Sequence, residues 1–196
     1  MMNKFFLIIG LALASIVAKG QETVIIVNYL PSLSLGETAD FTDNFSPRGV
    51  DFEVNKFLKE DLSVGFVIGW NIFREKISGE TFDYRELTIT GTQFRYTNVT
   101  PLNVNVKKYF SVGEESDIRP YAGVGLGTNY AKRTNEIGVF VLSEDKWQFN
   151  VAPEIGLHYD MNRNNILSLK VKYNYSPKAG DFPATSYLSF GIGIGL

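Results

Sequence analysis

The chain has 196 residues, a formal charge of −2, 44% hydrophobic and 20% charged residues, which excludes a disordered chain. It has no cysteine, so disulfide frameworks and thiolate metal sites are excluded, and one histidine is too few for a His-based metal centre or triad. With 19 basic and 21 acidic side chains there is no cationic excess to bind nucleic acid.

Met1-Met2-Asn3-Lys4 makes a short positive start, Phe5 to Val17 is an apolar run, and Ala18-Lys19-Gly20 sets small residues where a signal peptidase reads. These features predict a signal peptide over 1–20, cut after Gly20, followed by one barrel domain over 21–196. The apolar run is shorter than the about 20 residues a spanning helix needs. The expectation is export.

From Val27 onward the dominant period is two, which puts alternate side chains on opposite faces of a strand. Weak alternation at about 27–36 and 48–58 predicts the first two strands. A clear third follows, with Leu62, Val64, Phe66, Ile68, Trp70 and Ile72 against Ser63, Gly65, Val67, Gly69 and Asn71. Strands four and five are expected at about 94–110 and 119–130. Strand six sets Trp147, Phe149, Val151, Pro153, Ile155, Leu157 and Tyr159 against Gln148, Asn150, Ala152, Glu154, Gly156, His158 and Asp160. Strand seven sets Leu167, Leu169, Val171, Tyr173 and Tyr175 against Ser168, Lys170, Lys172 and Asn174. The eighth sets Leu188, Phe190, Ile192, Ile194 and Leu196 against Ser189, Gly191, Gly193 and Gly195. No window after residue 20 keeps a helical period.

The connections alternate too. Long polar loops are expected at about 37–47, 74–92, 131–146 and 176–186, and short turns at about 59–61, 111–117 and 161–165. Short turns on one side and long loops on the other are the asymmetry of an outer-membrane barrel. The expected fold is all-β, an eight-stranded antiparallel up-and-down transmembrane β-barrel with both termini on the periplasmic side. A secreted lipocalin-like barrel also has eight alternating strands. Two observations favour the membrane. The apolar sets end in aromatics (Trp70, Trp147, Tyr159, Tyr175), as interfacial girdles do. The opposite sets are small or amide-bearing, which suits a narrow lumen. Pro153 lacks a ladder donor and predicts a gap or bulge in its strand, and Pro31 and Pro101 raise the same demand.

Arg119-Pro120-Tyr121-Ala122-Gly123-Val124-Gly125-Leu126-Gly127 resembles the fifth-strand pattern of the small outer-membrane barrel family typified by the OmpA transmembrane domain. The C-terminal Ser189-Phe190-Gly191-Ile192-Gly193-Ile194-Gly195-Leu196 is similar to that family's assembly signal, with Ser189, Gly191, Ile194 and Leu196 at the signal positions. Family members usually end in Phe or Trp, and Leu196 departs from this. The resemblance covers residues 22–196 and implies an integral outer-membrane protein of a Gram-negative bacterium. Its implied partners are outer-membrane lipid, lipopolysaccharide and the barrel-insertion machinery. A monomer without cofactor, metal or nucleic acid is expected.

His158 is the only imidazole, on the inward parity near a periplasmic turn. Lipid-modifying barrels pair such a histidine with serine, but the next residue on its face is Asp160, so a lumen-filling role is expected rather than catalysis. Six inward charges form the candidate network: Asp51, Glu53, Lys107, Glu154, Lys170 and Lys172. A hairpin centred near 162–163 sets Glu154 opposite Lys170 or Lys172 and predicts a pair there. Such charges in a narrow lumen must be paired or hydrated. They form either a static plug or the gate of a narrow pore. The loops carrying Phe82, Tyr84, Phe140 and Val141 are candidate ligand-binding segments. The expected function is a non-enzymatic barrel, serving as membrane structure, surface contact or narrow pore.

Overall fold

The computed structural model describes residues 23–42, 45–84, 87–113, 116–162 and 165–196, and the side chains of these except 80–90 and 162. The signal peptide expected over 1–20 lies outside the described residues, as do the side chains of Phe82 and Tyr84.

Ten strands follow in order: β1 (Thr23–Tyr29), β2 (Ser32–Leu35), β3 (Phe45–Ser46), β4 (Gly49–Lys59), β5 (Leu62–Tyr84), β6 (Leu87–Tyr109), β7 (Ile118–Ile137), β8 (Phe140–Asn162), β9 (Asn165–Ser176) and β10 (Thr185–Gly195). β1 and β4 to β10 pair antiparallel with their chain neighbours, and β1 also pairs with β10, so eight strands close into a ring. β2 resumes the path of β1 along β10, and β3 adds a two-residue pairing to β2. Among the described residues no helix is long and apolar enough to cross a membrane. A closed ladder is the alternative way to satisfy the backbone in lipid.

Burial follows the predicted parity. On β10, Phe190, Ile192 and Ile194 are exposed while Ser189, Gly191 and Gly193 are buried, and β4 exposes Val50 and Phe52 while burying Asp51 and Glu53. Large apolar side chains therefore coat the outside and polar ones fill the bore. Trp70 and Trp147 are 52% and 57% exposed and stand at the upper end of the apolar band.

Pro31, Pro101 and Pro153 all sit at breaks in the ladder, whereas Pro120 in β7 stays in register with Leu157. Pro31 lies between β1 and β2. The β5–β6 pairing jumps from Ile68–Leu102 to Asn71–Val99, skipping Pro101, and the β8–β9 pairing jumps from Val151–Tyr175 to Glu154–Lys172, skipping Pro153. A residue without an amide hydrogen cannot complete these rungs.

The loops expected at 74–92 and 131–146 are instead β-structure. β5 pairs with β6 out to Tyr84–Leu87, and β7 pairs with β8 out to Ile137–Phe140. The second hairpin closes on Gly138-Val139, where Gly138 takes φ +60°, the left-handed geometry a two-residue turn needs. On the first, Gly79 at φ +77° occupies a bulge between Ile77 and Glu80. The period-two signal fades because these extensions lie beyond the hydrocarbon, where no apolar outer face is required. Thr88, Ile89, Thr90, Phe140 and Val141 still favour extended backbone.

Candidate functional site

The lumen is stratified along its length. At the periplasmic end Val24, Ile26, Phe57, Tyr109, Tyr121 and Ile166 form a buried cluster. The His158 ring packs into it, 4.9 Å from Tyr121 and 5.4 Å from Tyr109. Below, Arg119 reaches Asp160 at 2.8 Å and lies 5.6 Å from the Phe57 ring. At the adjoining turn the Lys108 ammonium hydrogen-bonds Asp61 and holds its carboxyl below the usual carboxylate range.

Above this floor the six predicted charges meet. Lys107 Nζ lies 2.5 Å from Glu53 and 2.9 Å from Glu154. Lys170 contacts Glu53 and lies 2.7 Å from Asp51, and Lys172 lies 2.7 Å from the same Asp51 oxygen. The result is an alternating chain, Glu154–Lys107–Glu53–Lys170–Asp51–Lys172, that crosses the bore between β4, β6, β8 and β9. Three carboxylates face three ammoniums, all with side chains no more than 4% exposed, so the layer is formally neutral. Amides complete it. Asn28 donates to Asp51 at 2.7 Å and to Glu53 at 3.3 Å, and Asn55 donates to Glu53 at 3.1 Å. The Lys107 ammonium also sits 4.6 Å from the Tyr121 ring centre, tying the layer to the floor.

One expected pair differs. The register does set Glu154 opposite Lys172, but its carboxylate pairs with Lys107. Lys107, Gly123 and Glu154 are successive partners across β6, β7 and β8. Gly123 has no side chain between them; a Cβ there would come within 3.0 Å of Lys107 Cγ. Gly191 clears space beside Lys170 in the same way, leaving it free to reach β4.

Higher still, side-chain amides and hydroxyls line the bore: Asn150 donates to Asn103 at 3.1 Å, Ser176 to Asn150 at 3.0 Å and Asn71 to Ser32 at 2.9 Å. A second buried apolar cluster, Phe73, Val99, Ala131, Phe182 and Tyr187, tops them. The segment after β2 folds over this end. Ser186 N donates to Thr38 Oγ1 at 2.9 Å, Arg133 donates to the Glu37 carbonyl at 2.8 Å, and Arg95 and Arg133 hold Phe41 between cation–π contacts of 5.5 and 5.2 Å.

The aromatic floor and this lid escape a sequence-only reading. Their members occupy inward positions, but their meeting depends on cross-strand register and on loop folding. The register also brings Ser168 opposite His158, a pairing not expected from the sequence. No hydrogen bond joins the two, and neither ring nitrogen of His158 has a partner among the described residues. Of the proposed C-terminal signal, Ser189 and Gly191 face the lumen, while Ile194 and Leu196 are exposed.

The OmpW family profile matches residues 7–182. Neisserial surface protein A superposes with a TM-score of 0.59 at 12% identity, over 91% of this chain and 99% of its own. The outer membrane protein OprG from Pseudomonas aeruginosa superposes at 0.53 and 14% identity, over 89% and 95%. The outer membrane protease OmpT from Escherichia coli superposes at 0.52 and 8% identity, over 90% and 97%. At these identities the likeness is one of fold. No curated protein matches the chain.

The alternating chain of charges makes its middle members more costly to remove than its ends. Lys107→Met leaves Glu154 buried without a cation and should destabilise the barrel by about 3–5 kcal/mol, the cost of stranding one buried charge. Lys172→Met should cost less, because Asp51 keeps Lys170 and Asn28. Urea unfolding in lipid vesicles measures both, and equal losses would contradict this connectivity.

Proposed function

The chain belongs to the OmpW family and is an outer-membrane β-barrel, and from that premise we propose that it works without catalysis, as a sealed barrel that carries two tall β-hairpins above the outer leaflet for surface contact. The observation that supports this most directly is the neutral ion-pair layer across the bore. A permeant ion would have to displace paired, dehydrated charges and then pass the aromatic floor. The lid formed by Glu37, Thr38 and Phe41 adds a second closure. The hairpins present Phe140 and Val141, 49% and 63% exposed, beyond the lipid, where an apolar tip suits contact with a partner. A nucleophile needs an activating base, and the His158–Ser168 juxtaposition lacks the hydrogen bond that would supply one. The C-terminal Ser189, Gly191, Ile194 and Leu196 serve, in the same proposal, as the signal for the insertion machinery.

A second reading, a lateral port for small apolar molecules, draws on one feature. The β5–β6 ladder lacks its rungs at Gly69 and Pro101, near the apolar cluster of Phe73 and Val99. A small apolar molecule leaving that cluster would reach lipid there without crossing the charged layer.

Two experiments separate the readings. In planar bilayers the purified barrel should show no discrete conductance; regular unitary openings would overturn the sealed reading. The chain has no native cysteine, so Gly69→Cys with Pro101→Cys staples the wall cleanly. Entry of a small apolar solute into cells should be the same with the staple oxidised or reduced. Uptake lost on oxidation and restored by reductant would establish the port.

A further inference from the structure

The outer surface of β5 changes character within a few residues above Trp70. Outward positions run Phe66, Ile68, Trp70, Ile72 and then Arg74 and Lys76, while Phe73, between Ile72 and Arg74, is fully buried in the lumen, so the alternation continues through the change. Arg48, just before β4, accepts a hydrogen bond at its carbonyl from Ile72 N at 3.0 Å. That contact sets it beside Ile72 and diagonal to Arg74. Arg48, Arg74 and Lys76 are all exposed.

Two aromatic rings brace this cluster. The Arg74 guanidinium lies 5.2 Å from the Phe94 ring centre and 5.7 Å from that of Tyr96, and Lys76 Nζ lies 5.8 Å from Phe94. Among the described residues none of the three cations takes part in an ion pair. Outward positions of β6 over this stretch are Phe94, Tyr96 and Asn98, with no carboxylate. Among the described side chains, the next outward acids along this face, Glu136 and Asp145, stand on β7 and β8, where Asp145 is in register with Lys132.

Directly below the cations, toward the membrane centre, lies a cavity of about 280 Å³ in the outer wall, lined by Val50, Phe52, Ile68 and Trp70 among others. Gly69, which has no side chain, and Thr100 also line it, where the β5–β6 ladder lacks rungs. The half-exposed Trp70 indole marks the hydrocarbon boundary, as interfacial tryptophans do. Cations just above that boundary lie in the headgroup layer, and an apolar indentation just below it lies among acyl chains.

We propose that Arg48, Arg74 and Lys76 form a docking site for the phosphorylated headgroup of lipopolysaccharide in the outer leaflet, with one of its acyl chains seated in the cavity against Phe52, Ile68 and Trp70. Guanidinium forks match phosphate oxygens in pairs, and the braced side chains lose little freedom on binding. The inference goes beyond the sealed-barrel reading and holds whether or not the lumen conducts.

The test uses the purified barrel in phosphatidylcholine nanodiscs doped with diphosphoryl lipid A, with bound lipid counted by native mass spectrometry. Wild type should retain diphosphoryl lipid A at least about tenfold better than dephosphorylated lipid A, since several phosphate–cation contacts are at stake. Replacing all three cations, Arg48→Gln, Arg74→Gln and Lys76→Gln, should remove that preference. The rim variant Lys59→Gln with Lys108→Gln, at the periplasmic end, should keep it. Retention by the triple variant, or equal loss in the rim variant, would overturn the site. Phosphatidylglycerol held as firmly as lipid A would overturn the assignment to lipopolysaccharide. If the triple variant fails to fold, equal retention of the two lipid A forms by wild type still refutes the proposal.

Discussion

A strand in hydrocarbon has no water to satisfy its amides, and from that constraint the rest of this structure follows. It forces eight strands to close, because an open edge would leave a row of unpaired donors in lipid. Closure then fixes which side chains point where: Phe52, Ile68, Val104 and Ile192 meet lipid, and Asp51, Gly69, Asn103 and Gly191 must share a bore that is barely wide enough for them. Three of the prolines show what the ladder demands. Pro31, Pro101 and Pro153 each coincide with missing rungs.

The narrow bore imposes the second requirement, charge neutrality. Six ionised groups are tolerated there because they alternate in sign along a single connected chain, with Asn28 and Asn55 supplying further hydrogen bonds. Their contacts depend on residues that have no side chain at all. Gly123 lets Lys107 and Glu154 meet across β7, and Gly191 lets Lys170 cross to β4. The charged layer rests on the aromatic floor through Lys107 and Tyr121, and the amide layer separates it from the apolar cluster beneath the lid. Apolar, charged, polar and apolar strata succeed one another from periplasm to surface, so a solute on the bore axis meets an unfavourable layer whatever its polarity.

Much of this was legible in the sequence wherever lipid imposed its alternation. The strand from Leu62 to Ile72 and the strand from Leu188 to Leu196 could be assigned to faces residue by residue, and the inward charges could be listed without a structure. The hairpin extensions could not. Above the hydrocarbon the extensions that begin at Arg74 and Lys132 need no apolar outer face, so a paired strand leaves no binary pattern and reads as a polar loop. Pairing inside the bore was only half legible. Sequence distance suggested the hairpin neighbours Lys170 and Lys172 for Glu154, and the register agrees. The side chain goes the other way because Gly123 opens a shorter path to Lys107. The floor around His158 and the lid around Phe41 are beyond pattern reading, since each gathers residues from strands or loops far apart in the chain.

A sealed barrel requires the lumen to be closed around its charges. Acetylation of the folded barrel in lipid with a water-soluble amine reagent, read lysine by lysine by mass spectrometry, tests this directly. Lys107, Lys170 and Lys172 should remain unmodified over a time in which Lys108, half exposed at the periplasmic rim, reacts fully. Modification of the three lumen lysines at the rate of Lys108 would mean that water fills the bore, and the sealed barrel would be wrong.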